Sequence, residues 1–162
     1  MTFQPGRMND AESDAWLGLV GLMELLPASL DAQMRRDSGM THFEFVLLTQ
    51  LKLAERNVLQ TKQLAEATNS TLPRLSHVIT RLVERGLVER VPCPGDGRAT
   101  NVVLTAEGRR AVVRATGPHL AHVRAMIFDR LTADEVASLA SATGKITAAL
   151  DPSGRYAGPI RG

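Results

Sequence analysis

The 162-residue sequence predicts a mainly α-helical fold with one small β-hairpin set among the helices. Three observations lead there. Apolar residues recur at three- and four-residue spacing along most of the chain, the period of one helix face. Thr41, Thr61, Thr71, Thr105 and Thr132 each stand directly before such a stretch, where a threonine hydroxyl accepts from the first free N–H groups of a helix. Finally, two short runs rich in β-branched residues, 87–91 and 102–104, flank a loop containing Pro94, Gly95 and Gly97, which is the pattern of a hairpin.

Residues 1–9 read as a frayed start. A first helix opens at Asp10, with Ala15, Trp16, Leu19, Val20, Met23, Leu26, Leu30 and Met34 near one face. Pro27 should kink or divide it, and Arg35, Arg36 and Gly39 mark its end. Thr41 with Glu44 three residues on forms a capping box for a second helix over 42–55, which buries Phe45, Val46, Leu48 and Leu51. Residues 57–60 read as a small strand. Thr61 caps a short helix over 62–68, and Asn69, Ser70 and Thr71 make a turn. Thr71 then caps a helix over 72–85, with Pro73 in the first turn, where a missing N–H is harmless. Its apolar stripe is Leu75, Val78, Ile79, Leu82 and Val83, and it stops at Gly86. After the hairpin, Thr105 opens a long helix that Gly117 and Pro118 should bend and that resumes over 119–131. Thr132 caps a last helix over 133–150, with Asp134 and Glu135 in the turn where the helix dipole favours acids. The Gly- and Pro-rich residues 151–162 read as a flexible tail.

Helix, tight turn, helix and hairpin in that order make a winged helix-turn-helix. Both ends of the chain hold more apolar residues than a compact winged core needs. The organisation that follows is an N-terminal dimerisation helix over 10–40, a winged DNA-binding domain over 41–110, C-terminal dimerisation helices over 111–150, and the tail. Packing of the terminal helices within one chain is the competing reading.

Net charge is only +2, but it is unevenly placed. Residues 1–60 carry five Lys/Arg against eight Asp/Glu, and residues 61–110 carry eight against five. Positive charge therefore begins with the helix-turn-helix, which points to a polyanion. The single cysteine, Cys93, allows neither an internal disulfide nor a cysteine-based zinc site. No basic start is followed by an apolar run, and the apolar stretches read as too broken for a membrane span. A soluble cytoplasmic protein without membrane attachment is expected.

On the 72–85 helix, Arg74, Ser76, His77, Thr80 and Arg81 lie off the apolar stripe. The N-terminal part of such a helix enters the major groove. There Arg74 can pair with guanine O6 and N7, and Ser76 and His77 with bases or phosphates. Thr80 and Arg81 are placed for phosphates. For Arg81 the alternative is an ion pair with Glu84 or Glu89, and for His77 simple exposure. Arg98 on the narrow hairpin loop suits the minor groove; the alternative is that Asp-Gly-Arg is only turn chemistry. Lys62, Gln63 and Thr100 are further phosphate contacts.

The stretch RLVERGLVERVPCPGDGRATNVVLTAEG resembles the wing signature of the MarR (multiple antibiotic resistance regulator) family. The matching residues are Arg81, Leu82, Gly86, Leu87, Val88, Pro92, Asp96, Arg98, Leu104, Thr105 and Gly108, and QLAEATN at 63–69 looks like the preceding helix and turn. The specific resemblance covers residues 41–110. It implies a homodimeric, winged helix-turn-helix DNA-binding regulator, by default a repressor on a palindromic operator. It also implies that Asp96 steadies the wing arginine or nearby backbone. Family members often bind small aromatic or lipophilic effectors between the dimer helices and the winged domain, with Trp16, His42, Phe45 and His119 near that junction here; no ligand residue is assigned. This chain departs from the family at Gly97, where an arginine is common, and at Cys93, where an aspartate is common.

Two rivals remain at this level: a winged-helix module that binds protein, and a redox regulator acting through Cys93. An enzyme is not expected. His119 and His122 share a helix face but lack a third metal ligand, no phosphate-binding glycine loop or nucleophile elbow occurs, and no cofactor is called for.

Overall fold

A computed structural model describes residues 8–93 and 96–156, the side chains of residues 96–98 excepted. The helices are α1 (Asp10–Ser38), α2 (His42–Leu53), α3 (Thr61–Ala67), α4 (Leu72–Glu84), α5 (Ala106–Met126) and α6 (Ala133–Leu150). The strands are β1 (Val58–Gln60), β2 (Val88–Cys93) and β3 (Asp96–Leu104), and short 3-10 turns occupy Glu55–Asn57 and Phe128–Arg130. The fold is mainly α with a small β-wing, a winged helix-turn-helix. β3 is central in an antiparallel sheet of order β1-β3-β2. Val58 pairs with Val103 on one side, and Val88 with Leu104 on the other.

Most boundaries follow from the caps. Asn9 and Glu12 close a capping box on α1, and Gly39 ends it at φ 61. Thr41 and Glu44 do the same for α2, and Thr132 and Glu135 for α6. Four expectations are corrected. α1 is not divided: it runs through Pro27, which is exposed. α5 likewise runs through Gly117 and Pro118, ending at Met126. The short helix is capped by Gln60 rather than Thr61, whose hydroxyl donates instead to the Thr100 carbonyl at 2.9 Å. That bond ties α3 to the central strand. The hairpin strands are also longer than their β-branched runs, because pairing continues to Cys93 opposite Asp96. Thus residues 96–98 lie in β3 rather than in a loop, and Pro94 and Gly95, the rest of the expected loop, lie outside the described residues.

The core sits where α2, α3, α4, the sheet and the start of α5 meet. Leu47, Leu48, Leu51, Leu64, Leu75, Ile79, Leu82 and Val102 are wholly or almost wholly buried. Val83, expected in the α4 stripe, is exposed. Gly108 allows α5 to start against the wing. A methyl there would overlap the Leu87 carbonyl oxygen and lie 2.7 Å from Leu104 Cδ1. Thr105 locks the same junction: its hydroxyl accepts from the Gly108 N–H at 3.0 Å and lies 2.7 Å and 3.0 Å from the Gly86 and Leu87 carbonyls.

The terminal helices are different. α1 buries only Gln33 and Met34, and α6 buries nothing. Leu17, Leu22, Leu25 and Leu150 are exposed, Leu150 at 80%. α1 also contains an 18-residue window of mean hydropathy 1.3, none of it buried. By length and composition it is long and apolar enough to cross a membrane, which corrects the expectation that every apolar stretch falls short of a span. In the described part of the tail, Asp151 accepts from Ser153 Oγ at 2.9 Å and from the Tyr156 N–H at 2.8 Å; residues 157–162 lie outside the described residues.

Candidate nucleic-acid interface

α4 forms because Thr71 caps it, accepting from the Arg74 N–H, and Pro73 sits where no N–H is missed. Leu75, Val78, Ile79 and Leu82 turn inward, leaving Arg74, Ser76, His77, Thr80 and Arg81 exposed. All five residues expected on the outward face are there.

Their surroundings were not all foreseen. Arg74 does not extend freely: its guanidinium carbon lies 4.5 Å from the centroid of the Phe43 ring, at the start of α2. Arg81 makes an ion pair, but with Glu44 of α2 at 3.6 Å rather than Glu84 or Glu89. Arg85 reaches the same carboxylate at 3.3 Å and the Gly39 carbonyl at 3.1 Å. Glu44 is 4% exposed, and its Oε2 also accepts from the Thr41 N–H at 2.8 Å. The capping acid of α2 is therefore also the anchor of α4. Nothing local in the sequence marks this role, because Glu44 and Arg85 are 41 residues apart.

Thr80 donates to the Ser76 carbonyl at 3.0 Å. Arg90 of β2, absent from the expected site, donates to both Ser76 O and Thr80 Oγ1 at 2.9 Å. It bridges wing and helix, and it lines a cleft of about 390 Å³ with Lys62, Ser76 and Thr100. Lys62 and Gln63 are exposed on α3, while Gln63 Oε1 also accepts from the Gln60 N–H at 3.1 Å, the second half of that cap. Thr100 is half-buried in β3. The side chains of Asp96 and Arg98 lie outside the described residues; their backbone is in β3. Cys93 lies in β2 rather than in a loop, and its Sγ accepts from Gln60 Nε2 at 3.5 Å.

A second cluster forms where α1, α2 and α5 meet. The His42 and His119 rings are 5.4 Å apart, and Phe45 and His119 4.9 Å. His119 Nδ1 lies 3.3 Å from Gln33 Oε1, and His122 Nε2 3.2 Å from Ser29 Oγ. Burial pushes the His42 imidazole below its ordinary pKa, against the opposing pull of Asp31. Burial does the same to His119, aided by His42 and His122. The junction thus brings His42, Phe45 and His119 together. Trp16 is not with them: it stands about 25 Å along α1 from Gln33 at 1.5 Å per residue. Among the described residues, no group of three His, Cys, Asp or Glu is placed to hold a metal ion.

Comparison with known proteins agrees with this architecture. A family model described as MarR family matches residues 38–99. The crystal structure of a MarR family transcriptional regulator from Streptomyces coelicolor, in complex with DNA, is 34% identical with a TM-score of 0.86, covering 94% of this chain and 95% of that one. AbsC, another MarR family transcriptional regulator from the same organism, is 29% identical with a TM-score of 0.82, covering 91% and 99%. The uncharacterised HTH-type transcriptional regulator YdcH of Bacillus subtilis is 33% identical over 78 residues, 47% of this chain. That match spans about half, 53%, of the curated relative's length.

Proposed function

The chain belongs to the MarR family of transcriptional regulators, and we propose that it binds double-stranded DNA sequence-specifically as a homodimer and acts as a repressor. The observation that carries this reading is the outward face of α4. Arg74, Ser76 and His77 lie exposed along its N-terminal half, beside Lys62 on α3 and the Arg90-lined cleft at the wing. Such a face suits the major groove, with Arg74, Ser76 and His77 toward bases and Arg81, Lys62, Gln63 and Thr100 toward phosphates. Arg98, steadied by Asp96, is assigned to the minor groove. Residues 41–110 are the DNA-binding unit in this reading. The DNA complex of the Streptomyces coelicolor relative supports it by analogy.

The exposed apolar faces of α1 and α6 support the dimer. Leu17, Leu22 and Leu25 on one, with Leu139, Ile146 and Leu150 on the other, form more apolar surface than a soluble monomer ordinarily leaves open. A twofold dimer places its recognition helices roughly 34 Å apart, on the half-sites of a palindrome. A cytoplasmic location goes with this reading. A small aromatic or lipophilic effector that releases the DNA goes with this reading.

A gel shift against the DNA upstream of the protein's own coding sequence is the direct test. A sequence-specific shift at moderate salt is expected, and its loss on adding an aromatic effector would establish release. A failure to shift any selected duplex would overturn the reading in favour of a protein-binding winged helix.

A further inference from the structure

Resting on the assignment of Arg74 to base reading, we infer that Phe43 is a positioning residue for sequence recognition. Its ring lies under the Arg74 guanidinium, whose carbon is 4.5 Å from the ring centroid, and takes up none of the N–H donors that a guanine would engage. Three observations carry this inference.

First, the ring is itself fixed. Phe43 lies in the first turn of α2, half-buried, and packs against the hydrophobic core. Its exposed side meets Arg74, in the first turn of α4, at 4.5 Å. The two helix starts therefore face each other, and the contact spans the junction between the scaffold and the recognition helix.

Second, the other arginines around α4 are engaged differently. Arg81 and Arg85 direct their N–H groups at Glu44. Arg90 directs its own at Ser76 O and Thr80 Oγ1. Among the described residues, Arg74 has no protein acceptor for its guanidinium. A cation–π contact requires no hydrogen-bond acceptor for the guanidinium, whereas bidentate pairing with guanine O6 and N7 needs its N–H donors. The two contacts are compatible, while an ion pair would compete with the base.

Third, holding a long side chain before DNA arrives removes part of the ordering cost of binding. The gain belongs to the one base that the held guanidinium faces. Phe43 thereby raises discrimination at that base without touching DNA. Affinity for unrelated duplex, set by phosphate contacts, is unaffected.

The test selects sites from a random double-stranded DNA library with the full-length protein, then measures competition between the selected site and single-base variants. The proteins are the parent, Arg74→Ala, Phe43→Leu, Phe43→Tyr and the Arg74→Ala/Phe43→Leu double variant. Arg74→Ala should erase the preference at one base pair per half-site, worth roughly tenfold or more. Phe43→Leu should lower the preference at that same base pair by roughly two- to fivefold, with an unchanged salt slope on unrelated DNA. Phe43→Tyr restores the ring and should restore the preference, which also controls for folding. In the Arg74→Ala background, Phe43→Leu should change nothing further. If Phe43→Leu keeps full discrimination while Arg74→Ala loses it, the inference about Phe43 is overturned and base reading by Arg74 stands. If Arg74→Ala itself leaves every base preference intact, the underlying assignment fails, and this inference falls with it.

Discussion

Gly108→Ala tests whether the wing and α5 are packed as tightly as described. Exchanging glycine for alanine inside a helix ordinarily gains stability. Here the added methyl would overlap the Leu87 carbonyl oxygen and stand 2.7 Å from Leu104 Cδ1 and 3.0 Å from the Leu87 carbonyl carbon. Two of those three atoms are backbone, so no rotamer change relieves the contact. The Leu87 carbonyl also accepts from the Thr105 N–H at 3.2 Å and from the Thr105 hydroxyl at 3.0 Å. Moving the strand away weakens both bonds. Overpacking of about 1–3 kcal/mol and two hydrogen bonds of about 1 kcal/mol each outweigh a propensity gain of about 1 kcal/mol, leaving a net loss of roughly 2–4 kcal/mol. In a chain of this length that lowers the melting temperature by roughly 5–15 °C. Thermal unfolding followed by circular dichroism reads it, at one protein concentration because the midpoint of an oligomer depends on concentration. Gly144→Ala is the control. Nothing lies within 4 Å of its added methyl, and by helical periodicity it faces away from Leu139, Ile146 and Leu150. It should gain up to about 1 kcal/mol. A Gly108→Ala protein as stable as its parent would refute the close approach.

Four further outcomes are expected. Glu44→Gln keeps the α2 cap but removes the charge between Arg81 and Arg85; since both arginines are partly exposed, urea unfolding should show a loss of only about 1 kcal/mol. In anisotropy titrations its affinity for unrelated DNA should rise, because two cations are freed. Arg98→Ala should weaken DNA binding and flatten the log–log salt dependence by about one unit; unchanged binding at matched salt would sink the wing assignment. His42 and His119 have folded pKa values below the unfolded value near 6.5, so their neutral forms favour the native state. That contribution is complete above pH 6.5 and is lost as pH falls toward the lowered folded values. Stability should therefore decline as pH falls through and below 6.5, and that of His119→Phe should decline less steeply. Finally, in the proposed symmetric dimer Ile146→Glu buries a charge twice and, because Ile146 is 45% exposed in one chain, forfeits about 1–3 kcal/mol of apolar burial on association; sedimentation should show the variant shifted to monomer at concentrations where the parent associates.

What the sequence makes legible here is local. Thr41, Thr71, Thr105 and Thr132 announce their helices because the capping partner is three residues away. The inward stripe and outward face of α4 follow from its periodicity alone. Thr61 misleads for the opposite reason. Its hydroxyl has a choice between the cap and the Thr100 carbonyl 39 residues away, and only the β1-β3 pairing makes the second available. The longer-range roles of Glu44, Phe43 and Arg90 are missed in the same way. Glu44 shows in the sequence only as a cap and the other two not at all, and each acquires its role when α2 or β2 is laid against α4. The wing was recognisable from its turn residues, but its strand lengths depend on cross-strand pairing, which overrides the weak β-propensity of Asp96 and Gly97. The open faces of α1 and α6 were signalled by an excess of apolar residues, the one long-range property that composition carries.

Arg90 has a consequence for how far apart two contacts on a duplex can be. Because it fastens β2 to the backbone and side chain of α4, the Arg90 end of the hairpin is tied to the recognition helix, and in the proposed DNA complex that tie limits the offset between a helix in the wide groove and a wing in the narrow one. In that proposed complex, a site whose groove geometry differs from the offset would pass the mismatch to the duplex, as bending or twisting. Discrimination by DNA stiffness would then enter at base pairs that no side chain reaches.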